Sequence, residues 1–397
     1  MIDRKKVGII GGLSFAAIAM IFYLISTVFG IKLLLVPTAQ YENYKSLEKI
    51  TELKTYIHES YVDKVDDKAL TEGAIKGMFD SLKDPYSVYF TAKEYKSFNE
   101  DMNGKFGGIG VIVTKGDDGL VTVVAPIEDT PGSRAGLRTN DKIVKIGGID
   151  ITAISLDEAV GKMKGDPGTK VHISVLREKE KELIELDLTR ELIKIKTVKE
   201  KMLDGNIGYV KMSMFDVDTH KDFQVALEKL KSQNMKGMIL DLRQNPGGYM
   251  EQAINIADLL MDKGLVVYTM DRKGKREDFN SKDGKLNVPF VVLVDKGSAS
   301  ASEILAGAIK DRNIAKLIGV KTFGKGVVQT VESLKDGSGF KITSQKYFTP
   351  KGISINKIGI EPDIEVKALE PKKGEDSDKL KDVQMDKALE YLKSIMK

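Results

Sequence analysis

Two stretches decide the fold: residues 238–248 read MILDLRQNPGG, and residues 289–303 read PFVVLVDKGSASASE. Each is an apolar run of strand length that ends in a glycine-containing loop. Three helical patterns follow the strands of this region, at Thr219–Ser232, Tyr249–Met261 and Ser300–Asp311. Strands that alternate with helices predict an α/β fold with a mainly parallel sheet. In such sheets the functional loops follow the carboxyl ends of the strands.

The regions before and after this α/β part have different sequence patterns. Residues 40–95 carry apolar residues at helical spacing, which predicts an N-terminal helical region. Residues 96–190 combine short strands and glycine turns with one small helix at Leu156–Met163, which is typical of a compact β-rich module. We expect the α/β core to span residues 191–366, and residues 367–397 to form a charged linker and a terminal helix.

The N-terminus has the pattern of a membrane anchor. Residues 7–31 read VGIIGGLSFAAIAMIFYLISTVFGI, with no charged side chain, behind the basic residues 4–6. This length spans a bilayer, and the positive-inside bias keeps residues 1–6 in the cytoplasm. A cleaved signal peptide would have a shorter apolar region and a better cleavage site than residues 36–39. The sequence therefore predicts a retained single-pass helix in the cell membrane, with the rest of the chain outside the cytoplasm.

Composition excludes several kinds of chemistry. The chain has no cysteine, so thiol nucleophiles, disulfides and cysteine-bound metals are impossible. It has only three histidines, which leaves little material for a multi-histidine metal site or a Ser–His relay. Lys and Arg total 62 against 58 Asp and Glu, so there is no basic footprint for nucleic acid. We expect no metal and no cofactor.

Two segments could carry a reaction that avoids imidazole. In residues 297–303 (GSASASE), small residues at a strand-to-helix turn can expose a serine hydroxyl beside free backbone N–H groups, although serine is also a common helix cap. Lys325 stands between two glycines, where burial would lower its pKa and make it a base; the alternative is a surface lysine in a turn. Gly319-x4-Gly324-Lys325 also resembles a phosphate-binding loop, but Gly326 replaces the required Ser or Thr.

Together these segments suggest a Ser–Lys dyad, and here the chain resembles the carboxyl-terminal processing proteases, serine peptidases with an embedded PDZ domain. The resemblance runs from about Tyr41 to Val366. Its markers in this sequence are DPYS at 84–87, FGGIG at 106–110, DLRQNPGG at 241–248, GSASASE at 297–303, FGKGVVQ at 323–329 and GIEPD at 359–363. The resemblance implies a crotonase-like (ClpP/crotonase type) serine protease core with the PDZ domain inserted at residues 96–190.

The resemblance also assigns roles, residue by residue. Ser300 matches the nucleophile, Lys325 the general base, and Gln329 the group that orients its amine. The N–H of Ala301 and one N–H from Gly247 or Gly248 would form the oxyanion hole. Asp311 falls where some members of the family have a supporting acidic residue.

For the PDZ domain, the resemblance implies capture of substrate C-termini. The clustered N–H groups of Gly107, Gly108, Ile109 and Gly110 would bind the terminal carboxylate, and the strand from Val111 would accept an added peptide strand. We therefore expect protein substrates with apolar C-termini, a homodimer, and room for a regulatory protein. The rival hypotheses are a PDZ scaffold without turnover and a nucleotide-dependent enzyme.

Overall fold

The computed structural model describes residues 38–116, 118–178, 180–282, 284–369 and 380–396. They belong to two compact units, one ending at Gly77 and one starting at Met78. The predicted membrane anchor, residues 7–31, and the short segment 1–6 before it lie outside the described residues. Among the residues that are described, no helix is both long and apolar enough to span a membrane.

The first unit is helical, as predicted. Helix α1 (Thr38–Ser60) is followed by the start of α2 (Asp67–Asp80). The side chain of Lys54 joins the two helices, since its Nζ donates to Asp67 Oδ2 at 2.8 Å and to Thr71 Oγ1 at 3.1 Å. The apolar side chains of α1 that produce the helical spacing stay exposed within the chain: Leu47, Ile50, Leu53 and Tyr56.

The second unit begins with β1 (Val88–Phe90) and α3 (Ala92–Asn103). Helix α3 starts at a reciprocal cap, in which the Glu94 carboxylate accepts the Thr91 N–H at 2.8 Å, and it ends at Gly104 in the left-handed conformation. Strand β1 pairs with a strand of the α/β core, far along the chain. The end of the predicted N-terminal helical region, 40–95, therefore contributes to the core.

A β-rich module follows. Its elements are β2 (Lys105–Gly108), β3 (Val111–Lys115), β4 (Val121–Pro126), α4 (Pro131–Arg134), β5 (Lys142–Ile146), β6 (Ile149–Asp150), α5 (Leu156–Met163), β7 (Lys170–Leu176), β8 (Ile184–Thr189) and β9 (Glu191–Lys194). The main antiparallel sheet has the order β3-β4-β5-β7-β8, so β3 lies at an edge, and β2 pairs separately with β9. The module has its own apolar core, with Val123, Ile143 and Ile173 fully buried.

The α/β core contains the remaining elements. They are β10 (Val198–Leu203), β11 (Ile207–Met212), α6 (Thr219–Ser232), β12 (Gly237–Asp241), α7 (Met250–Leu260), β13 (Gly264–Asp271), β14 (Arg276–Ser281), β15 (Phe290–Val294), α8 (Ala301–Asp311), β16 (Lys316–Gly319), β17 (Val327–Ser333), β18 (Gly339–Phe348), β19 (Ile364–Glu365) and α9 (Val383–Ile395). The predicted strand–helix alternation is confirmed, with boundaries within one residue.

The main sheet of the core is covered on both faces. Its order is β10-β11-β12-β15-β16-β19, and all neighbours are parallel except β10 and β11. Successive strand residues point to opposite faces. Met238 and Leu240 of β12 therefore pack with helices α6, α7 and α8, whereas Ile239 packs with Ala388 and Leu392 of α9. Burial on both faces explains the continuous apolar runs in the sequence.

A second sheet stands beside the first. It has the order β1-β18-β13-β14, with β17 also pairing with β18, and its pairings are antiparallel. The carboxyl ends of β12 and β15 and the start of β17 lead into the loops that carry the residues considered next.

Candidate active site

Ser300 lies at a strained turn between β15 and α8. Its backbone has φ 56° and ψ −115°, in the left-handed region that non-glycine residues rarely occupy. The Ser300 hydroxyl does not cap the helix. Instead, the Ser300 N–H donates to the Glu303 carboxylate at 3.0 Å, and the Glu303 N–H donates to the Ser300 backbone oxygen at 2.8 Å. The structure therefore places Ser300 at the cap position but leaves its hydroxyl for another task.

The neighbouring serines have structural roles. Ser298 and Ser302 are fully buried. Ser298 Oγ donates to the Leu242 carbonyl at 2.8 Å, and Ser302 Oγ donates to the Asn245 carbonyl at 2.9 Å. These bonds join the loop after β12 to the loop after β15. Of the three serines in the segment, Ser300 alone lines the adjacent cavity.

That cavity has a volume of about 440 Å³, and Ser300, Lys325 and Gln329 all line it. Its walls are largely apolar, with side chains from several elements: Phe98, Met102, Met214, Met250, Ile304 and Val331. The structure thus brings the three residues predicted from the sequence to one mostly apolar cavity. Partial burial in such a cavity favours uncharged forms of titratable groups.

Lys325 is suited to the role of a base. Burial, followed by the nearby charge of Lys341, lowers the pKa of Lys325 from its ordinary value of 10.5, while Asp84 and Glu303 act in the opposite direction. Its Nζ lies 4.9 Å from the ring centroid of Tyr86. An amine with a lowered pKa is more often neutral near physiological pH, which is the form that accepts a proton.

A buried carboxylate, which the sequence analysis overlooked, connects these segments. Glu303 is fully buried, and its Oε1 accepts Thr322 Oγ1 at 2.6 Å and the Gly324 N–H at 2.7 Å. Its Oε2 accepts the N–H groups of Ser300 at 3.0 Å and Lys325 at 2.9 Å. The available signal was Ser300-x-x-Glu303, the spacing of a helix capping pair.

The same bonds rule out the phosphate-loop hypothesis. In a phosphate-binding loop, backbone N–H groups point at the anion. Here the Gly324 and Lys325 N–H groups donate to Glu303, and the Phe323 N–H donates to the Ser298 carbonyl at 3.1 Å. These donors are already occupied within the chain, and a buried carboxylate would repel a phosphate at this place.

The two predicted glycines approach the Ser300 turn closely. A Cβ atom on Gly247 would lie 2.8 Å from the Ala301 nitrogen, and one on Gly248 would lie 2.1 Å from the Phe215 carbonyl oxygen. The Gly247 N–H donates to Asn245 Oδ1 at 2.9 Å. Among the described residues, the Gly248 N–H makes no backbone hydrogen bond. Of the two candidates, Gly248 therefore has the available donor.

The Ala301 N–H is the second available donor. It belongs to the first residue of α8, where a helix has no internal acceptor for its N–H groups. The N-terminal end of a helix also carries a partial positive charge, which stabilises an anion nearby. Ala301 and Gly248 thus supply the kind of donors that an oxyanion hole requires.

The two remaining predicted residues differ in position. Gln329 lines the cavity, and its side-chain amide donates to the Val327 carbonyl at 3.4 Å. Asp311 is the last residue of α8, about 15 Å along the helix from Ala301. Its carboxylate accepts the Lys351 N–H at 3.0 Å. The structure does not bring Asp311 to the cavity; Glu303, on the first turn of the same helix, is the carboxylate that accepts the N–H groups of Ser300 and Lys325.

The predicted peptide site lies in the β-rich module. The Gly107 carbonyl accepts the Gly165 N–H at 3.0 Å, and the Ile109 carbonyl accepts the Gly132 N–H at 2.7 Å, which fixes the path of residues 107–110. Gly108 ends β2, and Val111 begins β3 at the free edge of the sheet. Helix α5 packs beside β3, so a helix lies next to the edge strand.

No metal site accompanies these features in the part of the chain that the structure describes, where no three His, Asp or Glu side chains group to hold an ion. Among the residues around the cavity are the Ser300 hydroxyl, the Lys325 amine and backbone N–H donors. This set can carry nucleophilic acyl transfer.

Comparisons with known proteins agree with this geometry. The family description "Peptidase family S41" matches residues 206–366, "PDZ domain" matches residues 122–177, and "Activating protease CtpB N-terminal domain" matches residues 33–94. The second match coincides with the β-rich module, and the first covers most of the α/β core.

Individual relatives give the same assignment. The chain is 40% identical over 339 residues to the carboxy-terminal-processing protease of Bartonella bacilliformis, covering 83% of this chain and 77% of the relative. It is 40% identical over 319 residues to the carboxy-terminal processing protease CtpA of Bacillus subtilis, covering 80% and 68%. The family resemblance is confirmed: this chain belongs to peptidase family S41, as a serine peptidase of the carboxy-terminal-processing kind with a PDZ domain.

Proposed function

We propose that Ser300 and Lys325 form the catalytic dyad. The observation that carries this proposal is that both side chains line one largely apolar cavity, while a single buried carboxylate, Glu303, holds the backbone N–H groups of both residues. The lowered pKa of Lys325, caused first by burial, supports its role as the base.

The reaction runs through an acyl-enzyme. Neutral Lys325 takes the proton from Ser300 Oγ as this oxygen attacks the peptide carbonyl carbon. The N–H groups of Ala301 and Gly248 donate to the oxyanion that forms. The ammonium group of Lys325 then protonates the leaving amine as the C–N bond breaks, and the same lysine later deprotonates the water that hydrolyses the ester. Gln329, at the edge of the cavity, orients the Lys325 amine.

The PDZ domain selects the substrate. We propose that a protein C-terminus adds as a strand to the free edge of β3 and places its carboxylate at residues 107–111. Support comes from the edge position of β3 and from α5 beside it. An apolar terminal side chain would pack against the partly exposed Leu156 and Val160 of α5, since Ala159 and Met163 are already buried in the core of the module. The substrates are therefore proteins with apolar C-termini.

The setting of the enzyme is also a proposal. Residues 7–31 anchor the chain in the cell membrane, and the core acts on extracytoplasmic proteins. The exposed apolar side chains of α1 support homodimer formation through the N-terminal helices, and a regulatory protein controls access to the site. The arrangement of a mostly parallel sheet with a second, antiparallel sheet supports assignment of the core to the crotonase type.

The dyad is tested by substitution in the full-length chain. Ser300→Ala and Lys325→Ala should each lower cleavage of an unfolded protein with an apolar C-terminus by at least about 1,000-fold. Metal chelators should have no effect. Lys296→Ala is the matched control, since Lys296 is an exposed lysine on the same loop as Ser300. Cleavage that survives Ser300→Ala would overturn the assignment.

A further inference from the structure

A second lysine lines the active-site cavity. Lys341 lies on β18, where its backbone pairs with Val88 of β1 and with Val331 of β17. Its side chain is half-buried and shares the cavity with Ser300 and Lys325. The sequence analysis assigned it no role, and it belongs to none of the segments that carry the family resemblance. A half-buried cation in an apolar cavity costs free energy unless a neighbouring group compensates its charge.

Aromatic rings hold the ammonium group of Lys341 in place. Its Nζ lies 5.5 Å from the ring centroid of Phe98 and 5.7 Å from that of Phe90. These two rings stack with their centroids 4.8 Å apart. Burial lowers the pKa of Lys341, while the charge of Asp84 acts in the opposite direction and favours its ammonium form. The cation–π contacts with the two rings also favour the charged form. Lys341 can therefore act on a neighbour through its charge.

Three charged side chains act on Lys325. Asp84 and Glu303 favour its ammonium form, and Lys341 is the cation that opposes them. Asp84 is ionised: although burial disfavours its charged form, hydrogen bonds led by that from Ser87 Oγ at 2.6 Å keep the pKa of Asp84 below its ordinary value. Tyr86 presents the face of its ring, and its own pKa is raised by burial, so it stays neutral.

The balance of these charges determines the protonation state of Lys325. Two carboxylates with no opposing cation would stabilise charged Lys325, which cannot accept a proton. Repulsion between two ammonium groups is stronger in a partly buried, largely apolar cavity than in water. In its ammonium form, Lys341 on β18 therefore offsets the effect of Asp84 and Glu303 on Lys325.

We propose that Lys341 is a positioning residue for the reaction: its ammonium group keeps Lys325 in the uncharged form that removes the proton from Ser300. This inference rests on the proposed dyad, and it adds a residue that neither touches the substrate nor transfers a proton. It makes the working pH range of the enzyme depend on a side chain from the second sheet.

The test follows the rate at which a fluorophosphonate probe labels Ser300 across a range of pH in the full-length protein. Labelling requires the nucleophile and its base but no PDZ ligand. Lys341→Met removes the charge and keeps an aliphatic chain against the rings, whereas Lys341→Arg keeps the charge. Lys346→Met is the matched control, because Lys346 is an exposed lysine on the same strand.

For Lys341→Met we expect the acidic limb of the profile to move to higher pH, with labelling on that limb about three- to tenfold slower and an unchanged alkaline plateau. Lys341→Arg and Lys346→Met should keep the wild-type limb. If methionine disturbs the packing, Lys341→Gln compared with Lys341→Arg provides the same contrast. An unmoved limb, or an equal loss at every pH, would overturn the inference. Labelling that persists in Ser300→Ala would instead overturn the dyad itself, so the two failures are distinguishable.

Discussion

The Glu303 carboxylate accepts the backbone N–H of Lys325 at 2.9 Å, although the two residues are 22 positions apart in the chain. The same oxygen accepts the Ser300 N–H at 3.0 Å. Ser300, which precedes α8, and Lys325, which precedes β17, are thus tied to one buried atom. Because the bonds are to backbone groups, they fix the positions of both residues and leave their side chains free.

Glu303→Gln should damage both stability and activity. Its carboxylate accepts four hydrogen bonds, and an amide would place an NH₂ group against some of these donors. We expect a loss of about 2–4 kcal/mol in the free energy of unfolding, since buried donors would lose their partners. Fluorophosphonate labelling of Ser300 should also slow. Chemical denaturation and labelling rates measure the two effects, and the exposed Glu332→Gln is the control. A variant as stable and as reactive as wild type would contradict this role.

Gly248→Ala should greatly slow the fluorophosphonate labelling of Ser300 and have a smaller effect on the stability of the protein. An added Cβ would lie 2.1 Å from the Phe215 carbonyl oxygen, and the backbone φ of 140° is strained for any side chain. The loop would shift and move the free N–H away from the oxyanion, for which we expect a loss of about 100-fold or more in rate.

The control for this glycine lies in the PDZ domain. Gly161 is an exposed residue inside α5, with open space where its Cβ would be. Gly161→Ala should keep full activity and raise stability by about 0.5–1 kcal/mol, because alanine is the better helix former. Equal activities of Gly248→Ala and wild type would exclude Gly248 from the oxyanion hole.

A charged cluster on the PDZ sheet should make the stability of this domain depend on pH. His172 Nδ1 lies 2.9 Å from Asp187 and its Nε2 lies 2.7 Å from Glu185, and these carboxylates raise the pKa of His172 above its ordinary value of 6.5. The pKa of Glu185 is lowered from 4.5, first by Ser174 and then by His172.

The direction of the pH effect follows from these shifts. A raised histidine pKa contributes stability that is complete below 6.5 and is lost as the pH rises through the folded-state pKa. The lowered Glu185 pKa contributes stability above 4.5 that is lost in more acidic solution. The melting temperature of His172→Gln should therefore fall furthest below wild type between these two values and approach it in alkaline solution. A difference that does not change with pH would contradict this account.

Arg243 should tie α9 to the main sheet. Its guanidinium donates to the fully buried Asp241 at 2.7 Å and to Asp382, just before α9, at 2.8 Å. Arg243→Met would leave Asp241 with the Tyr209 hydroxyl and the backbone N–H of residue 243 but no cation, so we expect a loss of about 3–5 kcal/mol in the free energy of unfolding. Asp382→Asn removes the half-exposed partner and should cost only about 1 kcal/mol. Urea denaturation measures both, and equal costs would contradict the argument.

The sequence alone determined the local structure, and its motifs predicted Ser300 and Lys325 as site residues. Apolar runs on β12 and β15 are buried on both faces, so their strand character does not depend on distant partners. The small residues around Ser300 and the glycines beside Lys325 could be recognised in the sequence because each has a local structural role. The same reasoning predicted the β-rich module at residues 96–190, which contains β5 and β7. Both strands have buried residues that pack in the core of the module.

Only the tertiary structure decided which distant groups act on Ser300 and Lys325. The sequence analysis assigned Glu303 no role of its own, and the family resemblance offered Asp311 as a supporting acid, but the packing of α8 places Glu303 against both residues. Gly247 and Gly248 could be distinguished only when Asn245 was found to occupy the Gly247 N–H. Lys341 and Asp84 reach Lys325 from β18 and from the loop before β1. Electrostatic effects depend on distance through space and on burial, and neither is written in the order of the residues.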